Sequence, residues 1–168
     1  ANKIEKSFGI WNSQAYLAEF DKYSNNILNN LKDNKNLNNL LEQSGRFIKE
    51  NLKIIDLYSN FLTHWDFVPH NFRIAGHDMY LLDHSSIRFG NKYEGWARFL
   101  NFMALYNQDL EKALLEYIKT NRDKREYLSL QLMRVFRLTE LIWHYVKTLT
   151  QADDNLKIFM ISTRLETD

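Results

Sequence analysis

The 168-residue chain is 45% hydrophobic and carries 22 basic against 21 acidic residues, a net charge of +1, which is enough apolar material for one domain with a real core. Its charges are interspersed, leaving no field to steer a polyanion or an anionic membrane, and no apolar run approaches the length of a membrane span. The absence of cysteine excludes disulfides, thiolate catalysis and thiolate zinc sites, so the expectation is a single cytoplasmic domain over residues 1–168 with no nucleic-acid or membrane partner.

In chain order, Ala1 to Asn12 reads as a short extended or linker piece. The start Ala-Asn-Lys, in place of Met, leads us to expect a piece of a longer protein. Ser13 is the expected N-cap of a helix running to about Asp33, with Leu17, Phe20, Ile27 and Leu31 on one stripe. A second helix is expected from Leu37 to about Ser59, because Leu37, Leu40, Leu41, Ser44, Ile48, Leu52 and Ile55 recur at spacings of three and four.

The only proline of the chain, Pro69, rules out helix around it, so His64 to Asn71 is expected as a loop. Phe72 to Ala75 and Met79 to Leu82 flank Gly76-His77-Asp78 and predict a short β-hairpin. Trp96 to Tyr106 is apolar on nearly every face and predicts a helix buried at the domain centre. Leu110 to Ile118 predicts a surface helix, and a long helix follows from Asp123 to Thr150, with a break allowed around Arg137 to Thr139. A last helix is expected from Asp153 to about Leu165. The expected fold is mainly α, with one small hairpin resting on helices because a two-stranded hairpin is not stable alone.

The chemistry concentrates in the non-helical insert, where side chains are presented and not packed. Asp66 and Asn71 lie on one loop, and Asp83 ends a strand that returns beside it. Two carboxylates and an amide oxygen are hard ligands suited to Mg²⁺, which prefers a few protein oxygens plus substrate phosphates. A phosphoryl-transfer site is the natural reading, since that reaction needs charge on phosphate oxygens and a carboxylate to orient the attacking hydroxyl.

His64-x-Asp66-x-x-x-x-Asn71 resembles the catalytic loop of the protein-kinase-like superfamily, and Leu81-Leu82-Asp83 resembles its metal-binding Asp at a strand end. Pro69 before His70-Asn71 and the short interval from Asn71 to Asp83 are more similar to the aminoglycoside phosphotransferase and choline kinase branch. The resemblance covers about Phe61 to Gly90. It implies a kinase-like C-terminal helical lobe whose hairpin carries the catalytic and metal-binding loops. It further implies Asp66 as the catalytic residue, Asn71 and Asp83 as Mg²⁺ ligands, and His64 as structural support of the loop. ATP would be the phosphoryl donor and a small-molecule hydroxyl the acceptor. The nucleotide-binding N-terminal lobe of the same protein would lie outside this chain, which has no glycine-rich loop or strand lysine before Ser13. Trp65 stands where the small-molecule kinases commonly have glycine.

Other readings stay open. The lobe could be kept as a catalytically inactive, pseudokinase-like binding or scaffolding module, or the chain could be a helical protein unrelated to kinases. His70, His77 and His84 lack the helical His-x-x-x-His spacing of a zinc site. Arg88, Lys92 and Arg98 could touch phosphate but are expected on a solvated face; Glu94 either anchors the loop through a hydrogen bond or, as is preferred, caps the helix after it; and the aromatic residues are expected in the core.

Overall fold

The computed structural model describes residues 10–151. They form a mainly helical body with two small antiparallel sheets. Helices α1 (Ser13–Asn30), α2 (Lys35–Glu50) and α3 (Leu52–Leu57) precede strand β1 (Phe61–His64). Strands β2 (Phe72–Ala75), β3 (Asp78–Leu81) and β4 (Ile87–Gly90) follow, and the chain ends in helices α4 (Glu94–Tyr106), α5 (Gln108–Asn121) and α6 (Lys124–Gln151). The helix expected from Asp153 to Leu165 lies outside the described residues.

The core is built where α1, α4 and α6 pack together. Tyr16, Phe20 and Tyr23 from α1 meet Leu100 of α4 and Leu130, Met133 and Phe136 of α6, all buried. The aromatic rings meet edge to face: Tyr16 and Phe136 have centroids 5.1 Å apart at 86°, the geometry that their quadrupoles favour.

Several expectations are corrected. The N-cap of α1 is Asn12, whose side chain accepts from Ala15 N at 3.0 Å. Ser13 is instead tied to α3, donating from its backbone N and its Oγ to the Asp56 carboxylate at 2.8 and 2.7 Å. The helix expected from Leu37 to Ser59 is two helices that meet at Asn51, whose side chain donates to Phe47 O at 2.8 Å. Such back-bonding competes with helix continuation.

The long helix α6 runs unbroken through Arg137 and Thr139, both of which are buried; packing against α1 and α4 holds it continuous. In α4 only one face is buried, by Ala97, Leu100 and Met103, while Trp96, Leu105 and Tyr106 are exposed. The apolar sequence overstated its burial.

The larger correction is a second strand pair. His64 is not in a loop but closes β1, which pairs antiparallel with β4 from Phe61↔Gly90 to His64↔Ile87. Inside it nests the expected hairpin, Phe72↔Leu81 to Ala75↔Asp78, turned at Gly76 with φ 63°, a conformation that glycine adopts without steric cost. Ile10 adds an isolated parallel bridge to Phe89. No helix among the described residues is long and apolar enough to cross a membrane.

Candidate functional site

The nested pairs explain how two separate loops come to lie side by side. The outer pair continues one step past its strands, with Trp65 N donating to Ser86 O at 2.9 Å. The inner pair is closed at its mouth by Leu82 N donating to Asn71 O at 2.8 Å. Residues 65–71 and 82–86 are thus trapped between two ladders. Val68, fully buried, anchors the first loop, and Pro69 opens a 3₁₀ turn over Pro69–Asn71. That turn suits proline, whose φ is preset and whose nitrogen needs no partner.

His64 joins the loops. Its Nε2 is 2.9 Å from Leu82 O and 3.0 Å from Asp83 O. Both partners are carbonyls and only accept, so Nε2 carries the hydrogen. Asp83 itself adopts a left-handed backbone, φ 59° and ψ 62°, the only non-glycine residue with positive φ among the described residues. A non-glycine residue in this region costs free energy and persists only where its surroundings hold it.

Asp66 is held by its own loop and by α4. Asn71 Nδ2 donates to Asp66 O at 2.8 Å and to its Oδ2 at 3.0 Å, and Arg98 Nε of α4 donates to Oδ1 at 3.2 Å. His70 Nε2 lies 3.9 Å from Oδ2. With its nitrogen committed to Asp66, the Asn71 amide presents its oxygen as the atom available to a cation. Asp83 is exposed, and each carboxylate oxygen accepts a serine hydroxyl, Ser85 on Oδ1 and Ser86 on Oδ2. These two hydroxyls hold its pKa below the ordinary aspartate value, because donors to the charged form favour it.

The donor set therefore fits a hard cation in kind: an ionised, accessible carboxylate and an amide oxygen, with lone pairs remaining on Asp83 beyond those used by serine. Among the described residues, no group of three or more His, Cys, Asp or Glu side chains is arranged to hold a metal ion. Any ion here would take most of its ligands from substrate and water.

The serines were missed in the sequence, although Asp83-His84-Ser85-Ser86 carries the signal: an aspartate followed by hydroxyls two and three residues on is a local turn pattern. The basic residues were misjudged. Arg88, Lys92 and Arg98, expected on a solvated face, each pair with a carboxylate: Arg88 with Glu94, Lys92 with Glu126 and Arg98 with Asp66.

Glu94 is also corrected. It begins α4, but its fully buried carboxylate makes no helix cap. It accepts from Tyr16 Oη at 2.8 Å and from Arg88, with Arg137 Nη1 at 3.8 Å. Burial and the nearby Glu94 charge push the Tyr16 phenol well above its ordinary pKa. The same cluster supports the loop through Trp65, whose ring lies 5.1 Å from the Arg137 guanidinium carbon and 5.7 Å from that of Arg88.

No family model, no curated protein and no solved structure matches the chain.

Proposed function

We propose that this chain is the acceptor- and metal-side lobe of an ATP- and Mg²⁺-dependent phosphotransferase, kinase-like in its C-terminal helical architecture, acting on a hydroxyl of a small molecule. The observation that carries the reading is the clamp on two carboxylate loops: His64 holds the Asp83 backbone while Asn71 holds Asp66. In this reading Asp66 orients the acceptor hydroxyl and takes its proton. Asn71 and Asp83 would hold Mg²⁺, which when bound supplies positive charge to the phosphate oxygens. His64 sets the position of Asp83 without touching substrate. The nucleotide would be pressed onto this face by an N-terminal lobe of the same protein.

Manganese, a paramagnetic stand-in for Mg²⁺, tests the metal assignment on the chain itself. Titrated in, it should broaden the amide signals of Asn71 and Asp83 and leave Asp109 of α5 sharp, and Asp83→Ala should abolish the effect. Uniform broadening, or none at the two residues, overturns the assignment. Calorimetric titration of ATP with and without Mg²⁺ into the intact protein tests the nucleotide.

One observation favours a second reading, a catalytically inactive, pseudokinase-like binding module. Arg98 already occupies Asp66 Oδ1 and Asn71 its Oδ2, which leaves neither carboxylate oxygen open to an acceptor hydroxyl without competition from a donor already in place. Under that reading Mg²⁺ and ATP produce no heat on titration, and Asp66→Asn leaves every binding property intact.

A further inference from the structure

Between α4 and the C-terminal half of α6 lies an open apolar groove of about 340 Å³. Ala104 and Leu105 form one wall, and Leu138, Leu141, Val146 and Leu149 form the other. Its rim faces solvent: Leu105 is 61%, Leu138 48% and Leu149 38% exposed. The one charged residue among the described lining, Arg134, is spent on Glu111 and on the Asn101 side chain. The groove therefore offers an occupant apolar contact and no free charge, and contiguous apolar surface of this kind marks a place that another segment covers.

The chain itself supplies a segment that matches the groove in position, length and chemistry. Helix α6 ends at Gln151, just past Leu149, so residues 152–168 leave from one end of the groove. Ala152-Asp153-Asp154-Asn155 is small and polar, and is long enough to reverse the chain between antiparallel neighbours. Leu156-Lys157-Ile158-Phe159-Met160-Ile161 then carries a single charge. Along α6 the stretch from Leu138 to Leu149 is about 16 Å long. Leu156 to Ile161 would cover about 17 Å if extended, and Leu156 to Leu165 about 14 Å if helical, so the lengths agree in either conformation. Residues 1–9, in contrast, join at Ile10 beside β4 and bring Lys3, Glu5 and Lys6, which this groove has no charge to pair.

We propose that the chain's own C-terminal segment turns back at Ala152 to Asn155 and lays Leu156 to Ile161 in the groove between α4 and α6. The tether holds the segment there at an effective concentration of roughly millimolar, above that of a second copy or a foreign protein under ordinary conditions. Asp153 and Asp154 stay in water at the turn, and Lys157 reaches past the rim on its flexible stem. The docked segment braces α4, the helix that brings Arg98 to Asp66. The inference does not depend on whether Asp66 and Asp83 serve phosphoryl transfer.

The chain has no cysteine, so Ser162→Cys gives a single attachment point for a nitroxide spin label in the otherwise unaltered full chain. The label should broaden the amide signals of Leu105 and Leu141 in the groove and leave sharp that of Leu40 on α2, which is exposed and apolar but outside the groove. In a mixture of spin-labelled chain without ¹⁵N and spin-free chain with ¹⁵N, no broadening should appear. Leu105→Asp, made at an exposed position in the chain without the label, should speed amide exchange of Phe159 at least about tenfold, because it sets a charge against a buried apolar side chain, and leave Leu130 unchanged. Broadening at Leu40 or evenly over the surface, or none at Leu105 and Leu141, would overturn the proposal. So would equal broadening in the mixed sample, which would put a second copy's segment in the groove, or unchanged Phe159 exchange in a folded Leu105→Asp. Should that variant fail to fold, the spin-label measurements decide alone.

Discussion

His64 Nε2 and the Asp83 carbonyl oxygen are 3.0 Å apart, and this contact joins the end of β1 to a residue held in the left-handed region. A side chain buried in the first strand therefore sets the backbone of the loop that carries the exposed carboxylate.

Replacing His64 with Ala should strand the Leu82 and Asp83 carbonyls. A lost hydrogen bond with its acceptors left partly buried costs about 1–3 kcal/mol, to be read from urea unfolding. Amide exchange of Ser86, whose N–H closes the turn onto Asp83 O at 3.0 Å, should accelerate more than that of Leu130 in the core. Equal acceleration would mean that His64 supports the domain and not this loop.

The Asp83 carboxylate should titrate below the ordinary aspartate value, since the Ser85 and Ser86 hydroxyls favour its charged form. The folded pKa is depressed, so the stabilisation it gives is present above the ordinary aspartate range and is lost as pH falls through the folded pKa, below roughly pH 4. Carbon-detected titration of the side chain gives the midpoint directly. In the double variant Ser85→Ala, Ser86→Ala it should return toward the ordinary value; an unchanged midpoint would assign the shift elsewhere.

Glu94→Ala should be among the most damaging substitutions. It removes the buried acceptor of Tyr16 and Arg88 and leaves Arg137, 3% exposed, facing Glu140 alone. Removing one partner from a buried ionic cluster costs about 3–5 kcal/mol. Glu94→Gln, which keeps an acceptor for the phenol, should cost less. Urea midpoints of the two variants measure the difference, and a loss under about 1 kcal/mol for Glu94→Ala would show that the cluster contributes little.

Gly95→Ala probes the contact between α4 and β1. A Cβ there would lie 2.9 Å from His64 O and 3.2 Å from Phe67 Cβ, and a backbone oxygen cannot swing aside. Overpacking of this kind costs about 1–3 kcal/mol. Thermal unfolding should register it, with chemical-shift changes centred on Thr63 to Phe67; a neutral variant would mean that helix and strand are free to separate.

The helices were largely legible because their signal is local. Leu37, Leu41, Ile48 and Ile55 advertise an apolar face whatever lies opposite, and Gly76 between two short apolar runs announces the hairpin. The β1–β4 pair was not legible. Phe61 to His64 is four residues long, and its partner lies beyond the whole hairpin, so no local pattern links them. Arg88, Lys92 and Arg98 were misjudged for the same reason: charge in a sequence reads as solvated until a carboxylate from another element is brought up to it.

Sequence alone determined the helical class, the insert around Pro69, and the residue types that make Asp66, Asn71 and Asp83 candidates, because periodicity, proline geometry and ligand hardness are properties of the residues themselves. Only the tertiary structure decided that β4 returns beside β1, that Arg98 pairs with Asp66, and that His64 spends one nitrogen on the Asp83 loop while leaving the other without a partner. Those facts depend on which distant backbone atoms arrive within hydrogen-bond reach, and that is settled by the packing of α4 against β1.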